Sequence, residues 1–405
     1  MPDLLQSLQG GLIYLASFVV VLSVVVFVHE FGHFQVARWR KVAIDTFSIG
    51  FGKTLLGWRD RQGVQWKVGA LPLGGYVKFA DDADAMSTAP REQIDDPAAR
   101  EEARRKGLFH AQPLLTRSLV VAAGPVANFI FAIAAFAAIA LIVGRDATDY
   151  DSIPARVAGV SPAGAAAQAG VQPGDIIRSA NGQEISNWAE LRAIASASAE
   201  RPLVLAIERN AEPISLTVTP ARSTGQAGAP PAGQGLLGVE GPMLLDNERV
   251  VERYGALEAL GVGARNTWGI IAQTGAYIGA IFAGRESGDQ IAGPLGIINV
   301  SGQVATTALT GPAGGDDWTG RLGTLGIALL GLAAVLSVAV GFVNLLPIPI
   351  LDGGHLLFYA IEAARGGKPL PPAAQEWAYR AGFAVMASLF LFATWNDITR
   401  LLPGS

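Results

Sequence analysis

The sequence contains no cysteine, which excludes disulfide bonds, thiolate metal sites and catalysis by a thiol. It also contains few histidines, so a transition metal would have to be held by His, Asp or Glu side chains. The histidines are His29, His33, His110 and His355. The formal net charge of −4 gives no basic footprint of the kind that nucleic-acid binding requires. We therefore expect no nucleic acid among the partners.

Charge is scarce in general, since charged residues make up 16% of the 405 residues and apolar residues make up 50%. A soluble domain usually has about 25% charged residues, so this composition indicates a membrane protein. Segments with the roughly 20 apolar residues that a span needs lie at residues 11–37, 114–143, 322–351 and 377–398. We predict a polytopic α-helical membrane protein with four transmembrane helices.

Two of the apolar segments allow a second interpretation. The first could be a cleavable signal peptide, but residues 1–10 lack the basic residues that such a peptide carries. A weaker, glycine-rich segment at residues 268–283 would reverse the direction of all later segments if it crossed the bilayer. We therefore predict that it lies on or near the outer surface, within an extracytoplasmic or interfacial segment at residues 239–321.

The distribution of Lys and Arg predicts the orientation in the membrane. Fourteen basic residues lie between Arg38 and Arg117, and none lies in the first ten residues. Because basic loops stay in the cytoplasm, residues 38–113 are predicted to be cytoplasmic and the N terminus to be outside. Beyond the second span, residues 155–220 show a compact mixed α/β pattern, and residues 223–235 have the Ser, Gly and Pro content of a flexible linker.

The first span ends in the metal-binding pattern HExxH, formed by residues 29–33. On a helix, residues i and i+4 share one face, so His29 and His33 can bind one zinc ion with Glu30 beside it as general base. A polar cluster inside a helix bundle is the alternative. Ionisable residues at membrane depth are costly unless they have a function, which favours zinc.

A catalytic zinc takes three protein ligands, and the third must come from elsewhere in the chain. Asp352 follows the third apolar segment, and three crossings would bring it to the same inner half of the membrane as the two histidines. His355 is the second candidate, whereas His110 lies in the basic loop and is expected to be a surface residue. Pro347 and Pro349 precede Asp352 and interrupt the helix, which at membrane depth requires a covered or cavity-lining backbone.

These motifs resemble the bacterial site-2 proteases, the RseP-like intramembrane zinc metalloproteases. The matching segments are residues 29–33 (HEFGH), 73–79 (LGGYVKF), 123–129 (AGPVANF), 293–297 (GPLGI) and 344–354 (NLLPIPILDGG). The resemblance implies a membrane re-entrant β-hairpin at about residues 47–79. It also implies an extracytoplasmic PDZ-like domain at residues 155–220, which could either recruit substrates or exclude bulky ones.

The resemblance further implies an endopeptidase with one zinc ion per chain that cleaves the transmembrane segments of single-span proteins. Anti-sigma factors already cut outside the membrane are the expected substrates, and remnant signal peptides are a further class. The expected location is the bacterial inner membrane, with the PDZ-like domain in the periplasm and the active site near the cytoplasmic side. The expected substrate contacts are Asn128, Asn344, Pro347, Pro349, Gly74 and Gly75.

Each of these contacts has a simpler interpretation. Asn128 and Asn344 could form hydrogen bonds between helices, and the two glycines could merely form a turn. For the whole chain, the alternative is a non-catalytic membrane scaffold that presents a PDZ domain, or a membrane protein that handles metal. An intact HExxH motif together with an aspartate disfavours both alternatives, because a scaffold needs none of these residues.

Overall fold

The computed structural model describes residues 2–80, 96–224, 231–245, 247–311, 315 and 317–401. It divides into two compact units. The helical unit comprises Met1–Ile142 together with Gly255–Ser405, and the small unit comprises Val143–Tyr254. The predicted linker at residues 223–235 lies partly outside the described residues, because residues 225–230 fall in a gap.

The first part of the helical unit is a long helix, a β-sheet and a second long helix. Its elements are α1 (Pro2–Trp39), β1 (Ile44–Arg59), β2 (Gln65–Phe79), α2 (Pro97–Arg105), a 3-10 turn (Phe109–Ala111) and α3 (Leu114–Val143). The sheet packs on α1 through aromatic rings, with the centroid of Phe34 in α1 5.2 Å from that of Phe47 in β1 and 5.2 Å from that of Trp66 in β2. The sheet is thereby held against the helix that carries HExxH.

The strands β1 and β2 pair antiparallel, as the predicted hairpin requires, but each strand bends and pairs twice. Residues 65–68 of β2 pair with residues 56–59 and also with residues 46–49 of β1. Residues 75–79 pair with the start of β1. Positive φ angles at Gly50 (86°) and Gly52 (81°) allow β1 to bend between its two halves. The insertion of this sheet into the membrane stays a prediction.

The small unit combines short helices and antiparallel strands. Its elements are β3 (Arg145–Asp146), β4 (Gly159–Val160), α4 (Ala165–Gln168), β5 (Ile176–Ala180), β6 (Gln183–Glu184), α5 (Trp188–Ala197), β7 (Leu203–Arg209), β8 (Glu212–Val218), β9 (Ala221–Arg222), β10 (Gly235–Leu236), β11 (Val239–Glu240) and β12 (Val251–Glu252). The main sheet has the order β6-β5-β7-β8. This agrees with the predicted α/β pattern, whereas its identity as a PDZ domain stays a prediction.

The small unit extends beyond the predicted boundary at residue 220. Strand β10 pairs with β9, and Ser223 N donates to Gln234 O at 2.7 Å, so the ends of the predicted flexible linker meet in a hairpin. Strands β11 and β12 pair with β4 and β3. Residues 239–254 therefore belong to the small unit, so the predicted extracytoplasmic or interfacial segment at residues 239–321 begins within this unit. The sequence pattern missed these contacts because strands of two residues have no readable periodicity.

The last part of the chain returns to the helical unit with α6 (Ala256–Phe282), α7 (Pro294–Thr310), α8 (Trp318–Asn344), α9 (Asp352–Ala364) and α10 (Pro372–Leu401). Four helices are long and apolar enough to cross a membrane, namely Gly10–Trp39, Leu114–Val143, Trp318–Asn344 and Pro372–Arg400. They correspond to the four predicted spans and confirm a polytopic membrane protein. The third ends at Asn344 rather than at residue 351, because the prolines beyond it cannot continue the helix.

Helix α6 lies against two of these long helices. A Cβ atom on Gly263 would be 2.2 Å from the carbonyl oxygen of Ile133 in α3, and one on Gly275 would be 3.8 Å from Phe342 in α8. Residues 268–282 of the glycine-rich segment are therefore part of a longer helix that packs along α3 and α8, and the position of this segment on or near the outer surface stays a prediction. Glycine at the contacts permits this close approach of the helices. The modest hydropathy of the segment does not reveal that it packs against other helices.

Helix α7 is capped by a carboxylate from another helix. The buried side chain of Asp397 in α10 accepts hydrogen bonds from Gly293 N at 3.0 Å and from Gly296 N at 2.9 Å. A Cβ atom on either glycine would lie 2.6 Å from an oxygen of this carboxylate. The glycines of the GPLGI segment thus make room for a cap that joins α7 to α10.

Candidate metal centre

Three possible ligand atoms converge between α1 and the first residue of α9. The Nε2 atoms of His29 and His33 are 3.2 Å apart, and Asp352 Oδ2 lies 3.2 Å from the first and 3.5 Å from the second. Ligands about 2.0–2.1 Å from a tetrahedral zinc lie ~3.3 Å from one another. The donor atoms therefore have the spacing that one zinc ion requires.

The hydrogen bonding of Asp352 supports this fit. Its Oδ2 atom is buried and has no hydrogen-bond partner among the described residues. An isolated buried carboxylate oxygen is costly, whereas a carboxylate oxygen next to two imidazole nitrogens is a common zinc-binding set. The donor atoms of His29, His33 and Asp352 thus fit the three protein ligands that a catalytic zinc ion would take.

The orientation of His33 is fixed from α3. Its Nδ1 atom lies 2.8 Å from the carbonyl oxygen of Val120, which can only accept a hydrogen bond. Nδ1 therefore carries the proton, and the lone pair of Nε2 points toward Asp352. Such a hydrogen bond to the second ring nitrogen is the usual way in which proteins orient a metal-binding histidine.

Asn128 has the equivalent position beside His29. This asparagine is fully buried, and its side-chain nitrogen lies 3.2 Å from His29 Nδ1. Its Oδ1 atom has no hydrogen-bond partner in the described part of the chain. The oxygen and nitrogen of an amide are assigned from hydrogen bonding, so turning this amide lets Oδ1 accept a proton from Nδ1. That arrangement leaves His29 Nε2 free for a metal. Asn128 thus contacts a candidate ligand, and its predicted contact with substrate stays a prediction.

Gly124 is a site residue that the sequence pattern did not single out. A Cβ atom there would lie 2.2 Å from His33 Nε2 and 2.8 Å from His29 Cε1. Gly124 lies four residues after Val120 and four before Asn128, so the three residues share one face of α3. The spacing of four residues between Gly124 and Asn128 within the AGPVANF segment was the signal that could have identified Gly124.

Glu30 lies beside the sheet as well as beside the histidines. A Cβ atom on Gly75 would be 2.9 Å from Glu30 Cγ, so the backbone of β2 passes directly over the predicted general base. Gly74 instead makes room for the ring of Phe51, whose Cε2 would lie 2.4 Å from an added Cβ. Of the two predicted glycines, Gly75 is thus the one at the candidate site.

The turn between α8 and α9 wraps tightly around Asp352. Cβ atoms on Gly353 and Gly354 would lie 2.3 Å from the carbonyl oxygens of Leu345 and Ile348, respectively. Pro347 and Pro349 lie in this turn, and Asn344 is the last residue of α8. The prolines interrupt the helix here, as predicted, and the chain reverses before Asp352.

The other histidines are not part of the converging group. His355 faces Tyr379 and Phe358, with ring centroids 5.9 and 6.4 Å away, and His110 faces Phe109. Among the described residues, His29, His33 and Asp352 form the one group of three His, Asp or Glu side chains whose possible metal-binding atoms all lie within 4.8 Å of one another. The geometry therefore favours Asp352 over His355 as the third ligand.

Comparison with known proteins agrees with this site. The family profile described as "Peptidase family M50" matches residues 17–389. A protein of Rhizobium meliloti (strain 1021) with a provisional zinc-metalloprotease name is 43% identical over 99% of this chain and 100% of its own length. "Metalloprotease MmpA" of Caulobacter vibrioides is 38% identical over 96% of both chains. "Regulator of sigma-E protease RseP" of Escherichia coli K12 is 30% identical over 96% of this chain and 98% of its own.

The family and its relatives thus agree with the motifs at both ends of the chain. They support zinc as the cofactor and peptide-bond hydrolysis as the activity. The chain belongs to peptidase family M50, the site-2 proteases, and is a zinc metalloendopeptidase.

Proposed function

We propose that this enzyme is an intramembrane endopeptidase that hydrolyses peptide bonds in the transmembrane segments of single-span proteins. His29, His33 and Asp352 would hold one zinc ion, and Glu30 would act as general base. The observation that carries the proposal is the convergence of the three donor atoms between α1 and α9. Two of its members, His29 and His33, lie on helix α1, whose residues 10–39 are long and apolar enough to span a bilayer.

The chemistry follows from the ligand set and its neighbours. When bound, zinc lowers the pKa of a water molecule to about 7 and polarises a carbonyl group. Glu30, next to His29 in the chain, would accept the proton of the attacking water and pass it to the leaving amine. The Val120 carbonyl and the Asn128 side chain would hold the imidazole rings in the tautomers that metal binding needs.

The sheet offers a way to present the substrate. A helical segment shields its own peptide bonds, so it must unwind before hydrolysis. Residues 75–79 pair with β1 on one side, and no second strand pairs with them among the described residues. An extended substrate could add to this edge by backbone hydrogen bonds and would then pass Gly75 and Glu30. Asn344, Pro347 and Pro349 would contact it from the turn before Asp352.

The cellular setting is part of the same proposal. The basic residues between Arg38 and Arg117 favour a cytoplasmic location for this loop, with the N terminus and the small unit outside. The relative named "Regulator of sigma-E protease" suggests an anti-sigma factor, cut first outside the membrane, as the substrate class. The lipid bilayer of the bacterial inner membrane would surround the enzyme.

The test is cleavage of a single-span model substrate by the purified full chain in proteoliposomes, with Glu30→Gln as the matched variant. We expect the variant to keep its zinc and to lose about 10²–10⁴-fold in rate, because an amide cannot accept the water proton. Near wild-type turnover by Glu30→Gln would overturn the assignment of the base. A wild-type chain that binds zinc but cleaves no transmembrane segment would support the scaffold or metal-handling alternative.

A further inference from the structure

The first turns of α3 contact both of the helices that carry the candidate ligands. The carbonyl group of Val120 accepts a hydrogen bond from His33 of α1, Gly124 lies against the rings of both His29 and His33, and Asn128 contacts His29. Arg117, one turn before Val120 on the same face, contacts Glu362 of α9 instead. One face of α3 thus connects the helix of the histidines to the helix of Asp352.

The contact between Arg117 and Glu362 is a buried two-bond ion pair. Arg117 Nη1 and Nη2 donate to the two carboxylate oxygens at 3.1 and 2.5 Å, and the two side chains are only 10% and 8% exposed. Arg117 Nε also donates to the carbonyl oxygen of Gln112 at 3.2 Å. The guanidinium carbon lies 4.9 Å from the ring centroid of Tyr359, which is also on α9.

Stability alone does not account for such a pair. A buried ion pair contributes little net stability relative to apolar residues of similar volume, because both charges lose their hydration. A planar guanidinium bonded to both oxygens of a carboxylate does impose one relative orientation on the two groups. The pair therefore defines how α9 is rotated and placed against α3.

This orientation is transmitted directly to Asp352. Glu362 follows Asp352 by ten residues in one continuous helix, so the ion pair lies ~15 Å along α9 from the candidate ligand. At the other end of α9, Gly353 and Gly354 are packed against the carbonyl groups of residues 345–348. Helix α9 is thus fixed at both ends, and a shift at Glu362 would rotate the Asp352 carboxylate away from the imidazoles.

We propose that Arg117 and Glu362 are positioning residues that set the rotation of α9 and so bring Asp352 to His29 and His33. This inference rests on the proposed zinc site. Neither residue touches the site itself. The pair would therefore act on zinc affinity through the placement of Asp352, not through direct contact with the metal.

The test measures the zinc dissociation constant of the full chain by competition with a chelator, under conditions in which each protein is folded. We expect Glu362→Gln and Arg117→Gln to weaken zinc binding ~10–100-fold, as changes to residues that orient ligands typically do. The exchanged pair, Arg117→Glu with Glu362→Arg, should recover part of that loss. If Glu362→Gln fails to fold, Glu362→Asp keeps the charge while drawing it back by one methylene, and it should still weaken zinc binding measurably.

The matched control is Asp175→Asn, which breaks a comparable two-bond pair with Arg209 in the small unit. It should leave the zinc dissociation constant unchanged. A lower unfolding midpoint with wild-type zinc affinity in the folded Glu362 variants would overturn the inference, because that result describes a merely structural pair. Failure of the wild-type chain to bind zinc would instead overturn the proposed function, so the two failures are distinguishable.

Discussion

The two units of the chain bury different kinds of side chain. The core of the small unit consists largely of long aliphatic residues, among them Ile177, Leu191, Leu205 and Ile207. Where the long helices meet, more than half of the fully packed residues are alanines, namely Ala132, Ala135, Ala333 and Ala334, and the others are valines. The small unit follows the pattern of a protein core that forms in water, and the long helices do not.

The difference has a physical reason. In water, large apolar side chains stabilise a fold in proportion to the area they remove from solvent. In a bilayer, lipid tails are as apolar as leucine, so helices associate through close packing of small residues and through polar contacts. The helical unit accordingly has glycines at its closest helix contacts and buries polar groups, including Asn128, Arg117, Glu362 and Asp397.

The largest effect is expected from adding one methyl group where α3 meets α1, since close packing of small residues is the feature that separates the long helices from the small unit. Gly124→Ala should displace both imidazole rings, because the new Cβ would lie 2.2 Å from His33 Nε2 and 2.8 Å from His29 Cε1. We expect loss of bound zinc and of activity, although alanine itself favours a helix by about 1 kcal/mol over glycine. Metal analysis of the purified chain measures this effect.

The control is Gly323→Ala in α8, where an added Cβ would meet no atom within 4 Å. It should keep full zinc content. Normal zinc content in Gly124→Ala would show that the contact between α3 and α1 is looser than the distances indicate.

The next largest effect is expected in the small unit. Asp175 is fully buried and accepts hydrogen bonds from Arg209 at 2.7 and 2.8 Å and from Gln172 N at 2.8 Å. Asp175→Asn should destabilise the small unit by about 3 kcal/mol, because it leaves one charge of a buried pair without its partner. Hydrogen exchange of β5 and β7 should accelerate, while exchange in α1 and α3 should not change.

The same aspartate predicts a pH dependence. Burial raises the pKa of Asp175, but the hydrogen bonds from Arg209 and Gln172 outweigh burial and lower the pKa below its ordinary value. The ionised side chain therefore contributes stability above the unfolded pKa of about 3.9, and this contribution is lost as the pH falls through the folded pKa. Asp175→Asn should remove that part of the acid sensitivity of β5 and β7. An unchanged acid profile would contradict this account.

A smaller effect is expected from the cap of α7. Asp397→Ala would leave the N–H groups of Gly293 and Gly296 without their acceptor in a buried position, and we expect a cost of about 2 kcal/mol to the helical unit. The control is Asp317→Ala, which removes an exposed cap that accepts from Gly320 N at 3.1 Å in α8. That change should cost only about 1 kcal/mol. Equal effects in thermal unfolding would show that burial of the cap does not matter.

The sequence predicted the features that depend on neighbouring residues. The four spans follow from uninterrupted apolar runs, and the pairing of His29 with His33 follows from the helical repeat. The interruption of the helix at Pro347 and Pro349 was predicted because proline cannot continue a helix, although the predicted third span ran on to residue 351. Asp352 was identifiable because it lies next to the interrupted end of the third span.

Features that join distant parts of the chain could not be predicted in the same way. Arg117 and Glu362 are 245 residues apart, and nothing in the local pattern of either indicates the other. The double pairing of β2 and the packing of α6 along α3 depend on glycines whose role appears only when a second backbone approaches. Tertiary contact, not local preference, decides these positions.

The most direct test of the metal centre is the zinc affinity of three full-length proteins: the wild type, Asp352→Asn and His355→Ala. The account predicts one zinc ion per chain for the wild type and an unchanged affinity for His355→Ala, because His355 faces Tyr379 and Phe358. Zinc affinity should fall in Asp352→Asn by more than the ~10–100-fold that is typical when a residue orienting a ligand is changed, because Asp352 is itself a ligand. Tight zinc binding by Asp352→Asn together with loss of zinc from His355→Ala would contradict the account and make His355 the third ligand.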